Sequence, residues 1–257
     1  MLGGKRKTMQ RSKRKLSNVL CLNAAVIAVC ITQSKEGYSM RTYEKIETIF
    51  NRDTTGTKKL ILGDFRNETV EFLKDAEWVF TEKIDGTNIR IYWDGHKVEF
   101  GGRTDNAEIP RPLLDSLNKI FGTTETEELF EQIFGEKNVI LFGEGYGGRI
   151  QGVGNEYRPD ESFILFDVLI GENYQTREWV EKTAQMFGIK AVPVLFTGPL
   201  QAGIDYVCGH PKSVVAMKDT YMEGVVARPK VELKDRCGRR VIVKIKWKDF
   251  KDFAKEN

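Results

Sequence analysis

Between Trp78 and Phe100 the apolar residues fall into a period of two, and this stretch most narrowly limits how the chain can fold. Trp78, Val79 and Phe80 form an apolar run, and then Ile89, Ile91 and Trp93 alternate with Arg90 and Tyr92. The Asp94-Gly95 pair follows, a hairpin signal, and Lys97 to Phe100 reads as the returning strand. A two-residue turn joins antiparallel strands only, so this region predicts an antiparallel sheet with one face toward a core. Helices are predicted over Leu113–Phe121, over Glu125–Phe134 with Thr124 as cap, Glu127 three residues later and Gly135 as stop, and over Thr176–Phe187 with Gly188 as stop. On the last of these, Trp179, Thr183, Met186 and Phe187 are expected to share the packed side. Val139–Phe142, Phe163–Leu169, Val225–Ala227 and Val241–Trp247 read as further strands. Strands and helices alternate without a βαβ rhythm, so the expected class is α+β with antiparallel sheets flanked by helices.

The chemistry must rest on lysine, arginine and carboxylates, because only two histidines occur, His96 and His210. That leaves almost no material for a hydrolase triad or a histidine-rich metal site. With 40 basic against 37 acidic residues, any nucleic-acid surface has to be local. Cys21, Cys30, Cys208 and Cys237 have no C-x-x-C spacing, which argues against a zinc knuckle and for a reducing compartment. Residues 1–39 stand apart: seven Lys/Arg fall within the first fifteen positions, no acid precedes Glu36, and Val19–Ile31 is largely apolar. That run is shorter than the ~20 residues of a membrane span, so no stable membrane association is expected. The segment reads as an upstream extension before Met40, a secretory signal or a mitochondrial presequence, expected to be disordered. A single domain is expected over 40–257, cytoplasmic unless the leader is a genuine presequence.

Within that domain a few residues break the apolar pattern in ways that imply chemistry. Lys83 ends the Trp78–Phe80 strand and precedes Asp85-Gly86, so its amine projects where the chain turns; a lysine beside a turn is also commonly just solvated. In Val241–Trp247 the period of two puts Lys244 and Lys246 on one face and Val243, Ile245 and Trp247 on the other. Two adjacent ammonium groups make sense around a shared anion such as a phosphate, or else as guards on an exposed edge strand. Glu144 is hemmed in by glycines and Glu223 opens Glu223-Gly224-Val225; carboxylates so placed hold a divalent cation or a ribose hydroxyl, or are ordinary turn acids. Asp167 interrupts Phe163–Leu169, and a carboxylate in so apolar a strand needs a partner. Arg103 follows Gly101-Gly102 and either approaches a ligand or pairs with Asp105.

Taken in order, Glu82-Lys83-Ile84-Asp85-Gly86-Thr87-Asn88, Gly102-Arg103-Thr104, Phe142-Gly143-Glu144-Gly145-Tyr146-Gly147, Ile164-Leu165-Phe166-Asp167-Val168, Glu223-Gly224-Val225-Val226 and Val243-Lys244-Ile245-Lys246 resemble the successive motifs of the lysine-dependent covalent nucleotidyltransferases. The first motif, and Gly145-Tyr146-Gly147 with Ile150-Gln151-Gly152 beyond it, are most similar to the RNA ligase 2-like branch of phages and kinetoplastid RNA editing. The resemblance spans roughly Met40 to Phe250. It implies an ATP-grasp-like nucleotidyltransferase fold and an ATP-dependent RNA ligase, with Lys83 attacking the α-phosphorus to form lysyl-AMP. AMP would then pass to a 5′-phosphate end, which a 3′-hydroxyl seals.

Carried across residue by residue, the resemblance gives Glu82 and Phe166 the adenine, with Asn88 among the nucleotide contacts. It gives Arg103 and Glu144 the ribose or the bound end, Glu144 and Glu223 the Mg²⁺ or Mn²⁺, and Lys244 with Lys246 the α-phosphate. Asp85 and Asp167 count among the catalytic set. Asp85 stands where that branch often has histidine and DNA ligases have aspartate, so a minimal DNA ligase is the alternative, followed by a non-catalytic RNA-binding module. Eleven residues follow Lys246. No OB-fold is therefore expected, and a helper protein could supply the role of the usual C-terminal domain.

Overall fold

The computed structural model describes residues 40–252; the expectations for the leader fall outside them. In chain order the strands are β1 (Glu47–Thr48), β2 (Phe50–Arg52), β3 (Leu60–Phe65), β4 (Trp78–Glu82), β5 (Thr87–Trp93), β6 (Val98–Gly101), β7 (Val139–Gly147), β8 (Glu161–Ile170), β9 (Asn173–Tyr174), β10 (Lys190–Ala191), β11 (Val194–Gly198), β12 (Gly224–Pro229) and β13 (Val243–Lys246). The helices are α1 (Glu68–Phe72), α2 (Arg111–Phe121), α3 (Thr124–Phe134), α4 (Gly154–Tyr157), α5 (Arg177–Met186), α6 (Leu200–Cys208) and α7 (Trp247–Phe250). Among the described residues no helix is long and apolar enough to cross a membrane.

The predicted hairpin forms the edge of a six-stranded sheet of order β10-β8-β7-β5-β6, with β9 beside β8. Trp93 pairs with Val98 across the turn, where Asp94 Oδ1 accepts from the backbone N–H of His96 at 2.8 Å and of Lys97 at 2.9 Å. Gly95 sits at φ 96°, which only glycine adopts without strain. A second, five-stranded sheet has the order β1-β13-β12-β4-β11, and β2 pairs with β3 alone. Pairing is antiparallel except for β1 with β13 and β10 with β8, so the expected α+β class with antiparallel sheets holds.

Each large sheet has its own core. Ile89, Ile91 and Trp93 pack with Leu113, Leu117 and Phe121 of α2, Phe130 and Phe134 of α3, and Val180 and Ala184 of α5. Trp78, Phe80, Val225, Ala227, Val243 and Ile245 pack with Leu200, Ile204 and Val207 of α6 and with Phe250 of α7. Each valine, leucine, isoleucine or phenylalanine among them, taken fully from water, contributes on the order of 1.5–3 kcal/mol.

Three local details differ from the sequence pattern, and the second face of β5, with Arg90 and Tyr92, is buried as well. The segment from Met40 covers that face, and Arg90 donates to the carbonyls of Gly102 at 2.6 Å and Met40 at 2.7 Å. The cap of α3 is Thr123, whose hydroxyl accepts from Thr126 N–H at 3.3 Å; Glu127 instead accepts from Val98 N–H at 3.2 Å. Either threonine has the chemistry of a cap, and the extended backbone of Thr123 decides it. On α5 the packed side runs through Val180, Thr183 and Ala184, while Trp179 is 40% exposed beneath Lys182. Finally, β13 ends at Lys246, and Trp247 starts α7 rather than finishing the strand.

Candidate active site

The chain leaves the five-stranded sheet at Glu82 and enters the six-stranded sheet at Thr87, and Lys83 lies in the four-residue crossing. Three contacts hold that crossing. Lys83 N–H donates to Gly224 O at 2.9 Å. Ile84 is buried with Tyr146, Tyr157, Ile164 and Val192. Gln151 Nε2 donates to Gly86 O at 3.0 Å. Gly86 is required by close approach, since a Cβ there would stand 2.3 Å from Gly145 O and 2.7 Å from Glu144 Cγ.

A cavity of about 630 Å³ opens beside the crossing and gathers residues from both sheets. Each site residue expected from the sequence lines it: Glu82, Lys83, Asp85, Asn88, Arg103, Glu144, Phe166, Asp167, Glu223, Lys244 and Lys246. Positions separated by more than 160 residues in sequence thus share one space.

Glu223 sits at its centre. Its Oε2 accepts from Lys83 Nζ at 2.5 Å and its Oε1 from Lys246 Nζ. Burial alone would raise its pKa, but Lys83 and Lys246 outweigh that and hold it below the ordinary carboxylate range. Lys244 points along the same face and donates to Ile46 O at 2.7 Å. Burial, then the ammonium groups of Lys246 and Lys83, pull its pKa down to about 8. The strand that carries both lysines is not an edge: β1 and β12 flank β13, so these lysines are not edge guards.

Glu144 projects from β7 opposite Asn88 of β5. Burial, reinforced by Glu223 and Asp85 and opposed by Lys83 and Arg103, raises its pKa to about 8. Its folded pKa is thus above the unfolded one, so its contribution to stability is intact at low pH and is lost as pH rises toward about 8. In metal-free protein the melting temperature is expected to fall between about pH 5 and about pH 8, and Glu144→Gln is expected to flatten that slope. Parallel slopes for the two proteins would show that Glu144 does not titrate there.

Burial raises the Asp85 carboxyl, as does the nearby Glu223. Glu82 is buried; its carboxylate accepts from the Ser213 hydroxyl and from Val214 N–H at 2.9 Å, which fixes the 213–216 segment against β4. Phe166 and Val192 form an apolar wall of the cavity. Arg103 stands exposed at the rim, and Asp105, its alternative partner by sequence, is bound by Arg90 at 3.0 Å instead. Asp167 finds several partners: Arg228 at 2.8 Å, Arg240 at 2.8 Å and the Tyr43 hydroxyl at 2.6 Å. Arg240 is held in turn by Glu232 at 2.5 Å and lies over the ring of Tyr174.

Tyr43, Arg228 and Lys248 also line the cavity, and Ser213 and Arg240 brace Glu82 and Asp167, without any of them having stood out in the sequence. Arg228 had a signal, because it is the one charged residue in Val225–Pro229, and Asp167 was already short of a partner.

The residues fit a nucleotide with a divalent cation. Asn88 Oδ1 is a buried acceptor with no partner among the described residues, placed where a ligand hydroxyl could donate to it. Among the described residues no three or more His, Cys, Asp or Glu cluster as a metal cage. The two carboxylates Glu144 and Glu223 match the mode in which Mg²⁺ takes one or two protein carboxylates and completes its shell with phosphate oxygens and water.

The family described as RNA ligase matches residues 76–246. No curated protein matches the sequence. Among solved structures, a Naegleria gruberi RNA ligase mutant in the apo state superposes with TM-score 0.58 at 17% identity, over 86% of this chain and 59% of that one. A mutant of the same enzyme with AMP and Mn gives the same values. The enzyme with PPi aligns at 18% identity with TM-score 0.58, over 86% of this chain and 60% of that chain. At such identities the likeness is one of fold, and the chain spans about three-fifths of the length of these proteins.

Proposed function

The chain belongs to the RNA ligase family, and from that premise we propose that it is an ATP-dependent RNA ligase in which Lys83 carries AMP covalently. The observation that supports this reading most is the gathering of Lys83, Lys244 and Lys246 around one cavity with Glu223 between two of them. The Naegleria RNA ligase structures that share the fold were solved with ATP and Mn, with AMP and Mn and with PPi, which are the substrate, product and leaving group such a cavity would take.

In the first step the Lys83 Nζ lone pair attacks the α-phosphorus. An N–P bond forms, the bond to the bridging oxygen breaks, and pyrophosphate leaves with that electron pair while the proton released from Lys83 passes to water. Lys244 and Lys246 place positive charge where the equatorial oxygens gather negative charge. Glu144 and Glu223 would hold a divalent cation, which neutralises charge on the departing pyrophosphate. Glu223 is the counter-ion of Lys83 and would also be a ligand of the cation, so a bound cation would compete with Lys83 for its charge. Phe166 and Val192 offer the adenine an apolar wall, and Asn88 Oδ1 accepts from a sugar hydroxyl. An RNA 5′-phosphate oxygen then attacks the AMP phosphorus and releases Lys83, and a 3′-hydroxyl displaces AMP to close the strand.

The test uses ATP labelled at the α-phosphate, Mg²⁺ and nicked duplexes that differ only in RNA or DNA on the 3′-hydroxyl side. A protein adduct that survives alkali but is cleaved by acid, as a phosphoramidate is, and preferential sealing of the RNA nick are expected. Equal or better sealing of the all-DNA nick would assign a DNA ligase, and absence of adduct would remove the enzymatic reading.

A further inference from the structure

We propose that a second cavity, continuous with the active site through Lys244, Lys246 and Lys248, is the track for the sugar-phosphate backbone of the RNA strand. This rests on the ligase reading above. The cavity measures about 490 Å³, and its walls hold six cations, Lys45, Arg52, Arg66, Lys244, Lys246 and Lys248, against a single carboxylate, Glu47. In a protein whose charges nearly cancel overall, this local excess marks a site for a polyanion.

Three of the six cations are shared with the first cavity and three are not. The shared ones reach the reacting phosphates. Lys45 precedes β1, Arg52 ends β2 and Arg66 follows β3, and all three line the second cavity without lining the one around Lys83. The shared lysines already line the nucleotide cavity, and the outer three lie beyond its lining. Only an anion that repeats along a chain has use for charges continuing beyond them.

The outer side chains are braced yet open to solvent. Arg52 donates to Asp249 at 2.6 Å and to Lys58 O at 3.1 Å, Arg66 to Asn51 Oδ1 at 3.0 Å, and Lys45 lies 3.9 Å from Glu47. Their exposures, 68% for Lys45, 38% for Arg52 and 42% for Arg66, leave guanidinium and ammonium groups able to meet phosphates from outside. Thr48, Asn51 and Thr54 add neutral hydrogen-bonding groups to the same walls. None of the lining residues is aromatic, so the walls offer no stacking platform for bases and binding should be sequence-tolerant.

The test is the double variant Lys45→Ala/Arg66→Ala in the full chain, which spares Arg52 because its partner Asp249 is largely buried. Binding of a fluorescently labelled, 5′-phosphorylated RNA oligonucleotide of mixed sequence is read by anisotropy across a salt series. Adduct formation with α-labelled ATP, and its reversal by pyrophosphate, are measured in parallel. RNA affinity is expected to weaken roughly tenfold at low salt, and the slope of log affinity against log salt to become shallower by about 1.4, while adduct formation and reversal stay unchanged. Restoration by the charge-keeping pair Lys45→Arg/Arg66→Lys would support the track. Unchanged RNA binding would overturn the proposal. So would unchanged RNA binding joined to a raised ATP requirement or slower pyrophosphate reversal, which would assign the cavity to the phosphate tail. If the wild-type protein forms no adduct at all, the ligase reading fails while the RNA arm still decides the track.

Discussion

Lys83→Ala is expected to abolish labelling of the protein by α-labelled ATP, a loss on the order of 10⁴-fold or more, with the fold retained. The fold should survive because Lys83 is half-buried rather than core, and because Glu223, its partner, keeps Lys246. Lys83→Arg should fail nearly as completely, since a guanidinium does not give up its proton to become a nucleophile. Lys246→Ala should behave differently. Its own charge on the phosphate is lost and Glu223 is left to Lys83 alone, so labelling should slow by roughly 10²–10³-fold without vanishing. Intact-mass measurement after incubation with ATP and Mg²⁺ separates these outcomes, because an AMP adduct adds a fixed mass. An adduct persisting in Lys83→Ala would place the nucleophile elsewhere.

The second large effect is on stability. Asp167 lies buried between Arg228 and Arg240, with the Tyr43 hydroxyl donating to the same carboxylate. Burial alone would raise its pKa, but the two guanidinium groups dominate and hold it below the ordinary range. Asp167→Asn keeps the shape and removes the charge, which leaves two guanidinium groups facing a neutral amide. Breaking one side of a buried ionic cluster costs about 3–5 kcal/mol. For a domain of this size that lowers the melting temperature by on the order of 10 °C, measurable by calorimetry. The sign with pH follows from the depressed folded pKa: the stabilisation is present above the unfolded value of ~3.9 and is lost as pH falls through the folded one. Wild type should therefore lose its advantage over Asp167→Asn only in acid. An equal melting temperature at neutral pH would mean that the cluster is not worth its burial.

The sequence revealed the members of the site more fully than their arrangement. Period-two alternation exposed β5 and β13, because a sheet with one packed face writes itself into the residues. It could not show that the stretch from Met40 would lie over the second face of β5 and bury Arg90 and Tyr92. Motif order placed Lys83, Glu144, Glu223, Lys244 and Lys246 together, yet nothing local indicated that Glu223 would bridge Lys83 and Lys246. Asp167 was recognisably in need of a partner, but Arg228 and Arg240 lie 61 and 73 residues away. The edge strands β1, β10 and β11 are too short, or too exposed, for periodicity to register.

The crossing that carries Lys83 joins two sheets, and each sheet closes over its own core. Lys244, Lys246 and Glu223 come from one side of that crossing, Glu144 and Asn88 from the other. Neither half holds a working set alone. Acquisition of AMP would thus behave as a coincidence signal for folding: a chain with one half frayed retains most of its residues in place and still stays unlabelled. Covalent labelling would count molecules in which both halves are native at the same moment, and a variant that loosens either core should lower the labelled fraction before it lowers the bulk helical or strand signal.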